Sequence, residues 1–213
     1  AGAEVLAVEL DARLAHVLER VLEQAGEHAE VHVADALTVD WGVLLGDRAN
    51  WSCVSNLPYN VAVPVVVKLL EAAPAVERLL VMVQREVGER LAAGPGDEQY
   101  GAVSVKVAYY AEAAVVGVVP PTVFVPRPKV ESVLVRMRRR SSPPVVVPSE
   151  SEFFTLVRAG FAQRRKMLRR ALTPVLGDRA VAVLTAAGIE PTARAEVLGL
   201  EQWAAVARSA AAA

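Results

Sequence analysis

Cysteine is nearly absent from this chain, since Cys53 is the only one among 213 residues. A single cysteine excludes an intrachain disulfide framework and a cysteine-based zinc site, and no metal is expected. It is typical of proteins that work in a reducing compartment, and a cytoplasmic location is therefore expected. Cys53 itself lies in an apolar run and is predicted to be a buried strand residue.

Long apolar runs are also absent. The stretch from Val61 to Leu70 is too short to cross a bilayer and contains Lys68, and no signal peptide is recognisable. We therefore expect no membrane attachment. Aromatic residues make up only 5% of the chain although 54% of it is hydrophobic, so the core is expected to consist of Val, Leu and Ala.

Charge is unevenly distributed along the chain. Residues 1–121 contain 8 Lys and Arg against 17 Asp and Glu, a formal charge of −9, whereas residues 122–213 contain 15 against 7, a charge of +8. The basic C-terminal part suggests a polyanionic partner. A solvated arginine-rich surface without a partner is the alternative.

Hydrophobic periodicity predicts alternating strands and helices in the first two thirds of the chain. The predicted strands are 3–9, 30–34, 51–55, 77–84 and 130–137, with one or two more within 103–119. The predicted helices are 11–24, 63–70 and 85–93. This alternation indicates an α/β fold with a mostly parallel sheet and helices on both faces.

The pattern changes after a Ser- and Pro-rich linker at residues 141–149. Only helical periodicity follows, and helices are predicted at 152–172, 178–187 and 201–211. Two domains are therefore expected, an α/β domain over residues 1–141 and a small all-α domain over residues 142–213.

The residues Asn56, Leu57, Pro58 and Tyr59 follow the predicted strand 51–55. An Asn side-chain oxygen and a neighbouring backbone carbonyl can accept both N–H bonds of a planar amino group, which directs its lone pair at a methyl donor. Pro58 stiffens the turn because its φ is fixed, and Tyr59 offers a face on which a flipped base can stack. An ordinary Asn-Pro turn with a half-buried tyrosine is the alternative.

Polar residues stand at the ends of three successive predicted strands, Glu9, Asp35 and Asn56. In open α/β sheets ligands bind at the carboxyl ends of the strands, so these residues predict a binding site. Each of them alone is also consistent with a helix cap or a solvated loop.

The predicted helix 152–172 carries six basic residues and no acidic one between Arg158 and Arg170. This composition is typical of a phosphate-binding surface, whereas a solvated helix face would interleave glutamates. Arg164 does not fit an ideal helix, because its angle falls within the apolar face. Either the helix bends there or Arg164 reaches out of the core toward a specific group.

Five segments of the chain occur in an order that is found in a known family. They are Asn56–Asn60, Gln84–Leu91, Tyr100–Gly101, Phe124–Ser132 and Phe161–Lys166. Together they resemble the ribosomal RNA adenine dimethyltransferases, most of all the KsgA type, and the resemblance covers residues 5–203. It implies a Rossmann-like S-adenosylmethionine-dependent methyltransferase sheet followed by an RNA-binding helical domain. The implied activity is dimethylation of adenine amino groups in small-subunit rRNA during ribosome assembly.

The resemblance also implies roles for individual residues at the cofactor and the base. Glu9 would hold the ribose of S-adenosylmethionine, and Asp35 with Ala36 would meet its adenine.

In the same way, Asn56 and the Leu57 carbonyl would accept hydrogen bonds from the target amino group, with Asn56 also close to the cofactor. Pro58 belongs to this catalytic turn, and Tyr59 and Phe124 would enclose the flipped adenine. The implied rRNA-binding residues are Arg127, Lys129, Arg158, Gln163, Arg164, Arg165, Lys166, Arg169 and Arg170.

The chain departs from the family at its start. The family has a strand and a Gly-rich loop, which cradles the methionine part of the cofactor, before the position of Ala1, and no Gly-x-Gly precedes Glu9 here. We therefore expect an N-terminally truncated, inactive piece of a longer protein that binds S-adenosylmethionine weakly or not at all. In the family this strand lies between the strands that end at Glu9 and Asn56. Its absence would leave an open edge on each of those two strands.

Two other functions remain open. The chain could be a non-catalytic assembly factor that docks on immature small ribosomal subunits. It could also be a related large-subunit rRNA adenine methylase of the antibiotic-resistance type, although such sequences resemble it less in segments 124–132 and 163–166. A monomer is expected.

Overall fold

The computed structural model describes residues 3–23 and 28–213. Its strands are β1 (Val5–Glu9), β2 (Ala29–Val33), β3 (Trp51–Asn56), β4 (Val76–Gln84), β5 (Ala111–Val119) and β6 (Ser132–Arg139). Its helices are α1 (Ala12–Leu22), α2 (Trp41–Leu45), α3 (Ala62–Ala72), α4 (Arg85–Ala92), α5 (Ala102–Tyr110), α6 (Glu150–Ala162), α7 (Leu168–Ala171), α8 (Thr173–Leu176), α9 (Ala180–Ala186) and α10 (Leu200–Ala212). Residue 24, the last of the first predicted helix, lies outside the described residues.

The strands form two separate sheets within the described residues. β1 and β2 pair in parallel, and β3, β4, β6 and β5 form a second sheet in that order. β3 and β4 are parallel, whereas β6 is antiparallel to both of its neighbours. The α/β fold is therefore confirmed. β1 and β3 do not pair with each other, in agreement with the expectation of two open edges between them.

One face of the four-stranded sheet is covered by α3, α4 and α5, and the hydrophobic core lies between them. Gly88 lets α4 approach β6 closely, because a Cβ at this position would lie 2.2 Å from Cγ2 of Val133. The opposite face is exposed at Arg136 and at Val54, which is 77% exposed. The prediction of helices on both faces is therefore not met for this sheet in the described part of the chain.

The prediction of one or two strands within 103–119 is right for β5 but wrong for the first half of the segment, where α5 forms. α5 is apolar on more than one side because it packs between two clusters. Val105 and Tyr109 belong to the helical core, whereas Val107 belongs to the sheet core. A helix that is buried on opposite sides has no polar stripe. Because α5 is also rich in valine, which is common in strands, its sequence looks like that of a strand. Gly101 is the N-cap residue of α5, and its N–H donates to Oγ of Ser104 over 3.0 Å.

The single helix predicted over 152–172 is also wrong, because α6 ends at Ala162 and α7 begins at Leu168. Between them, residues 163–167 form an exposed turn, which we call the basic turn. The backbone N–H of Leu168 donates to the Ala193 carbonyl over 2.8 Å. A contact with the residues after α9 thus replaces the bond that would continue the helix.

The helices α6 to α10 enclose a second core together with residues from before the linker. Tyr100, Tyr109, Phe153 and Trp203 all belong to this core. The Tyr100 hydroxyl donates to the Leu198 carbonyl over 2.9 Å, so the segment before α5 is bound to the C-terminal helices. No helix in the described residues is long and apolar enough to span a membrane.

Candidate active site and RNA-binding surface

Glu9 and Asp35 lie at the carboxyl ends of the paired strands β1 and β2. The Ala34 N–H donates to the Glu9 carbonyl over 3.0 Å, which joins the two strand ends. Glu9 Oε1 accepts from the Asp11 N–H over 2.9 Å, and Asp35 Oδ1 accepts from the Leu37 N–H over 2.8 Å. These bonds orient each carboxylate and leave its second oxygen available as an acceptor.

The loop after β2 is held by Trp41, whose Nε1 donates to the Ala36 carbonyl over 3.1 Å. Asp11, rather than Glu9, caps α1. Oriented carboxylates that do not cap a helix suit the hydroxyl and amino groups of a nucleoside. The residues at the ends of β1 and β2 therefore have the chemistry to bind a nucleoside.

The Asn56–Tyr59 turn begins at the last residue of β3. The Leu57 side chain is buried, and its N–H donates to the Met82 carbonyl over 3.2 Å, which attaches the turn to β4. Within the described residues, neither the Asn56 side chain nor the Leu57 carbonyl makes a hydrogen bond. The turn thus presents two uncommitted acceptors beside each other.

Tyr59 is exposed, and its hydroxyl lies 3.2 Å from Oγ of Ser132. Phe124 is partly buried and directly follows the short 3₁₀ turn Pro121–Val123. The ring–ring contacts in the described residues all lie around α5, α6 and α10, so the rings of Tyr59 and Phe124 do not pack on each other. The sequence did not point to Ser132 as a site residue. The only feature that could have indicated it is that a small polar residue stands where an apolar strand begins.

The two halves of the candidate site belong to different sheets. Glu9 and Asp35 are brought together by the pairing of β1 with β2, whereas Asn56 follows β3. No strand of the described residues joins β1 to β3.

Cys53 plays no part in this site. It is a strand residue as predicted, but it is only partly buried. Burial raises the pKa of its thiol, which favours the unreactive protonated form.

The predicted RNA-binding residues are all exposed, and they lie before β6, on α6, in the basic turn and on α7. None of them forms an ion pair with a carboxylate in the described part of the chain. Arg158 donates to Thr155, and Arg164 Nη2 donates to the Glu98 carbonyl over 2.9 Å. Arg164 therefore lies in a turn rather than in a helical apolar face, which resolves its misfit to an ideal helix.

Comparison with known proteins agrees with this arrangement. The family model described as ribosomal RNA adenine dimethylase matches residues 3–212. The protein named ribosomal RNA small subunit methyltransferase A from Thermobifida fusca is 48% identical over 209 residues, which are 95% of this chain and 71% of that protein. The protein of the same name from Streptomyces griseus is 47% identical over 214 residues, 97% of this chain and 72% of that protein.

Solved structures show the same fold. The 23S rRNA methyltransferase ErmE is similar with a TM-score of 0.69 and 26% identity, over 97% of this chain and 81% of ErmE. A dimethyladenosine transferase from Plasmodium falciparum has a TM-score of 0.74 and 21% identity, over 95% of this chain and 80% of that one. The match over nearly the whole chain, at almost half identity to the curated relatives, shows that this chain belongs to the ribosomal RNA adenine dimethylase family.

Proposed function

We propose that this chain acts on small-subunit rRNA and dimethylates the exocyclic amino groups of adenines there during ribosome assembly. The family supports the reaction, and the relatives named for the small subunit are 47% to 48% identical to the chain. The large-subunit enzyme ErmE is only 26% identical. An enzyme that acts on bacterial ribosomal subunits would work in the cytoplasm.

The pair of uncommitted acceptors at the Asn56–Tyr59 turn is the observation that carries this proposal. The Asn56 side-chain oxygen and the Leu57 carbonyl would each accept one N–H of the target amino group. Both hydrogen atoms are then engaged, and the nitrogen lone pair is directed away from the turn. Catalysis by alignment needs no strong base, and the proton is lost to water.

Tyr59 and Phe124 would hold the flipped adenine between their rings. The two rings are not in contact with each other, and base–aromatic stacking contributes about 1–3 kcal/mol per base. Two methyl groups must reach one nitrogen, so this space has to admit the monomethylated base as well.

Glu9, Asp35 and Ala36 would bind the adenosine part of S-adenosylmethionine, with Asn56 on the other side of the cofactor. S-adenosylmethionine supplies a sulfonium-activated methyl group. We propose that this chain binds it weakly and is therefore nearly inactive at micromolar cofactor concentrations. Within the described residues β1 and β3 are not joined and do not hold the two half-sites in register, so millimolar S-adenosylmethionine is needed to observe methyl transfer. Calorimetry should show binding weaker than micromolar, and a low micromolar dissociation constant would overturn this part of the proposal.

The basic turn and its neighbours would bind the rRNA backbone. Exposed arginines and lysines that have no carboxylate partner among the described residues are available to phosphates, and their binding to RNA releases counterions. These residues lie mainly after the linker, whereas the adenine site lies in the sheet part. We therefore expect that substitutions in one region can change rRNA affinity and that substitutions in the other can change methyl transfer, each without the other.

A methylation assay with isolated subunits tests the proposed substrate. Immature small subunits and, separately, large subunits would be incubated with the chain and millimolar labelled S-adenosylmethionine. We expect dimethyladenosine in small-subunit rRNA only. Label in large-subunit rRNA alone would favour the ErmE-like function, and small-subunit binding without any label would favour a docking factor.

A further inference from the structure

We propose that Ser132 is a positioning residue for Tyr59, through the hydrogen bond between their two hydroxyl groups. This inference rests on the proposed role of Tyr59 as a stacking face for the target adenine. The hydroxyl oxygens are 3.2 Å apart. Ser132 is buried with 1% of its surface exposed, whereas Tyr59 is 39% exposed, so a fixed interior group holds a side chain of the site.

The bond crosses the sheet at the end where the site lies. Tyr59 follows β3, Ser132 is the first residue of β6, and β4 lies between these two strands. Ser132 pairs with Gln84, the last residue of β4. The Tyr59 side chain must therefore extend past the end of β4 to reach Ser132. A phenol ring held at its backbone and at its hydroxyl cannot turn away from this place.

Ser132 is itself held in position through the residue before it. The Arg85 N–H donates to the Glu131 carbonyl over 3.0 Å, and Arg85 Nη1 donates to Glu131 Oε2 over 2.7 Å. Arg85 Nε also donates to Glu89 Oε1 over 2.8 Å, which fixes the guanidinium on α4. The same contacts anchor the end of the segment that carries Phe124. One end of β6 thus supports both aromatic residues of the proposed adenine site.

The substitutions Ser132→Ala and Tyr59→Phe each remove one hydroxyl of this bond and keep the ring of Tyr59. A hydrogen bond of ordinary strength corresponds to a factor of about five, so each variant should lower the single-turnover rate of methyl transfer about fivefold. The dissociation constant for rRNA should stay unchanged, because rRNA affinity comes from the basic turn, which these substitutions leave intact. The double variant should be no slower than either single one, since all three lack the same bond.

Ser104→Ala is the matched control. Ser104 is also buried with 1% of its surface exposed, and its hydroxyl donates to the Arg90 carbonyl over 2.6 Å. Removal of this hydroxyl should lower the free energy of unfolding without changing the methylation rate at saturating substrate. A loss of rate that follows stability alone would appear in this variant too.

The experiment measures single-turnover methylation of immature small subunits at millimolar S-adenosylmethionine, together with the rRNA dissociation constant and the thermal midpoint. A fivefold slower reaction in both single variants, without further loss in the double variant, supports the role of Ser132. Wild-type rates in the folded Ser132→Ala variant, or multiplied losses in the double variant, would overturn it and leave the proposed function intact. Absence of methylation by the wild-type chain would overturn the proposed function itself.

Discussion

Gly160 of α6 packs directly against the indole ring of Trp203 in α10. A Cβ at Gly160 would lie 2.4 Å from Cη2 of Trp203, closer than any carbon–carbon contact allows. Trp203 is fully buried in the helical core and cannot move aside. The contact sets the distance between α10 and α6, the helix that leads into the basic turn.

Gly160→Ala should therefore destabilise the protein despite its better helix propensity. Relative to glycine, alanine in a helix interior raises the free energy of unfolding by about 0.5–1 kcal/mol, whereas overpacking lowers it by about 1–3 kcal/mol. A net loss of stability is therefore expected. Urea denaturation would measure it as a lower midpoint. Gly101→Ala is the control, because a Cβ there meets nothing nearer than 4.0 Å. A midpoint equal to that of the wild type would show that the helices can separate at no cost.

Asn56→Ala should abolish methyl transfer and leave rRNA affinity nearly unchanged. The variant removes one of the two acceptors proposed for the target amino group, but it leaves the basic turn intact. Loss of a single oriented polar contact in the transition state costs about 10²–10³ in rate. Methylation of small subunits and rRNA binding would be measured side by side. Ser52→Ala, an exposed position on the same strand, serves as the control. Equal loss of both properties at Asn56 would contradict its assigned role.

Neutralising the basic surface should weaken rRNA binding and reduce its dependence on salt. The triple variant Arg165→Ala, Lys166→Ala and Arg170→Ala removes three exposed positive charges and no hydrogen bond found in the described residues. Each phosphate contact contributes about 0.7–0.9 to the slope of log affinity against log salt, so the slope should fall by about 2. Fluorescence anisotropy at several salt concentrations measures this slope.

A second triple variant controls for overall charge. Arg78, Arg136 and Arg138 are equally exposed and lie on the bare face of the sheet. Their replacement by alanine should leave the slope nearly unchanged. If both triple variants lower the slope equally, RNA is attracted by total charge rather than by the basic turn.

Stability should decrease between pH 10 and pH 12 in a way that depends on Tyr100. Burial raises the pKa of Tyr100 from 10.0 to about 12. In this range the unfolded chain loses the phenol proton while the folded chain keeps it, so rising pH favours unfolding. Below pH 10 the phenol is protonated in both states, and its contribution is fully present.

Tyr100→Phe tests this dependence. The variant lacks the hydrogen bond to the Leu198 carbonyl and should lose about 1–2 kcal/mol at neutral pH. Its free energy of unfolding should then fall less steeply than that of the wild type above pH 10. Burial also raises the pKa of Tyr109 and Tyr110, so part of the slope should remain. Parallel curves from urea denaturation would contradict the assignment to Tyr100.

The strands were predictable to within a few residues because their signals are local. Apolar runs followed by Glu9, Asp35 and Asn56 do become β1, β2 and β3. In contrast, α5 was predicted as strand, because a helix between two cores has apolar residues on opposite sides. The end of α6 was missed for a related reason, since the partner of the Leu168 N–H lies 25 residues farther along the chain, at Ala193.

The sequence by itself determined the turn that we propose to be catalytic, the basic segment and the family, because each depends on residue types at short spacing. Only the tertiary structure decided that Ser132 contacts Tyr59 across 73 residues, and that Arg164 lies in a turn bound to Glu98. It also decided that the two proposed half-sites lie on separate sheets. Such relationships depend on which strands and helices pack together, and neighbouring residues do not encode that choice locally.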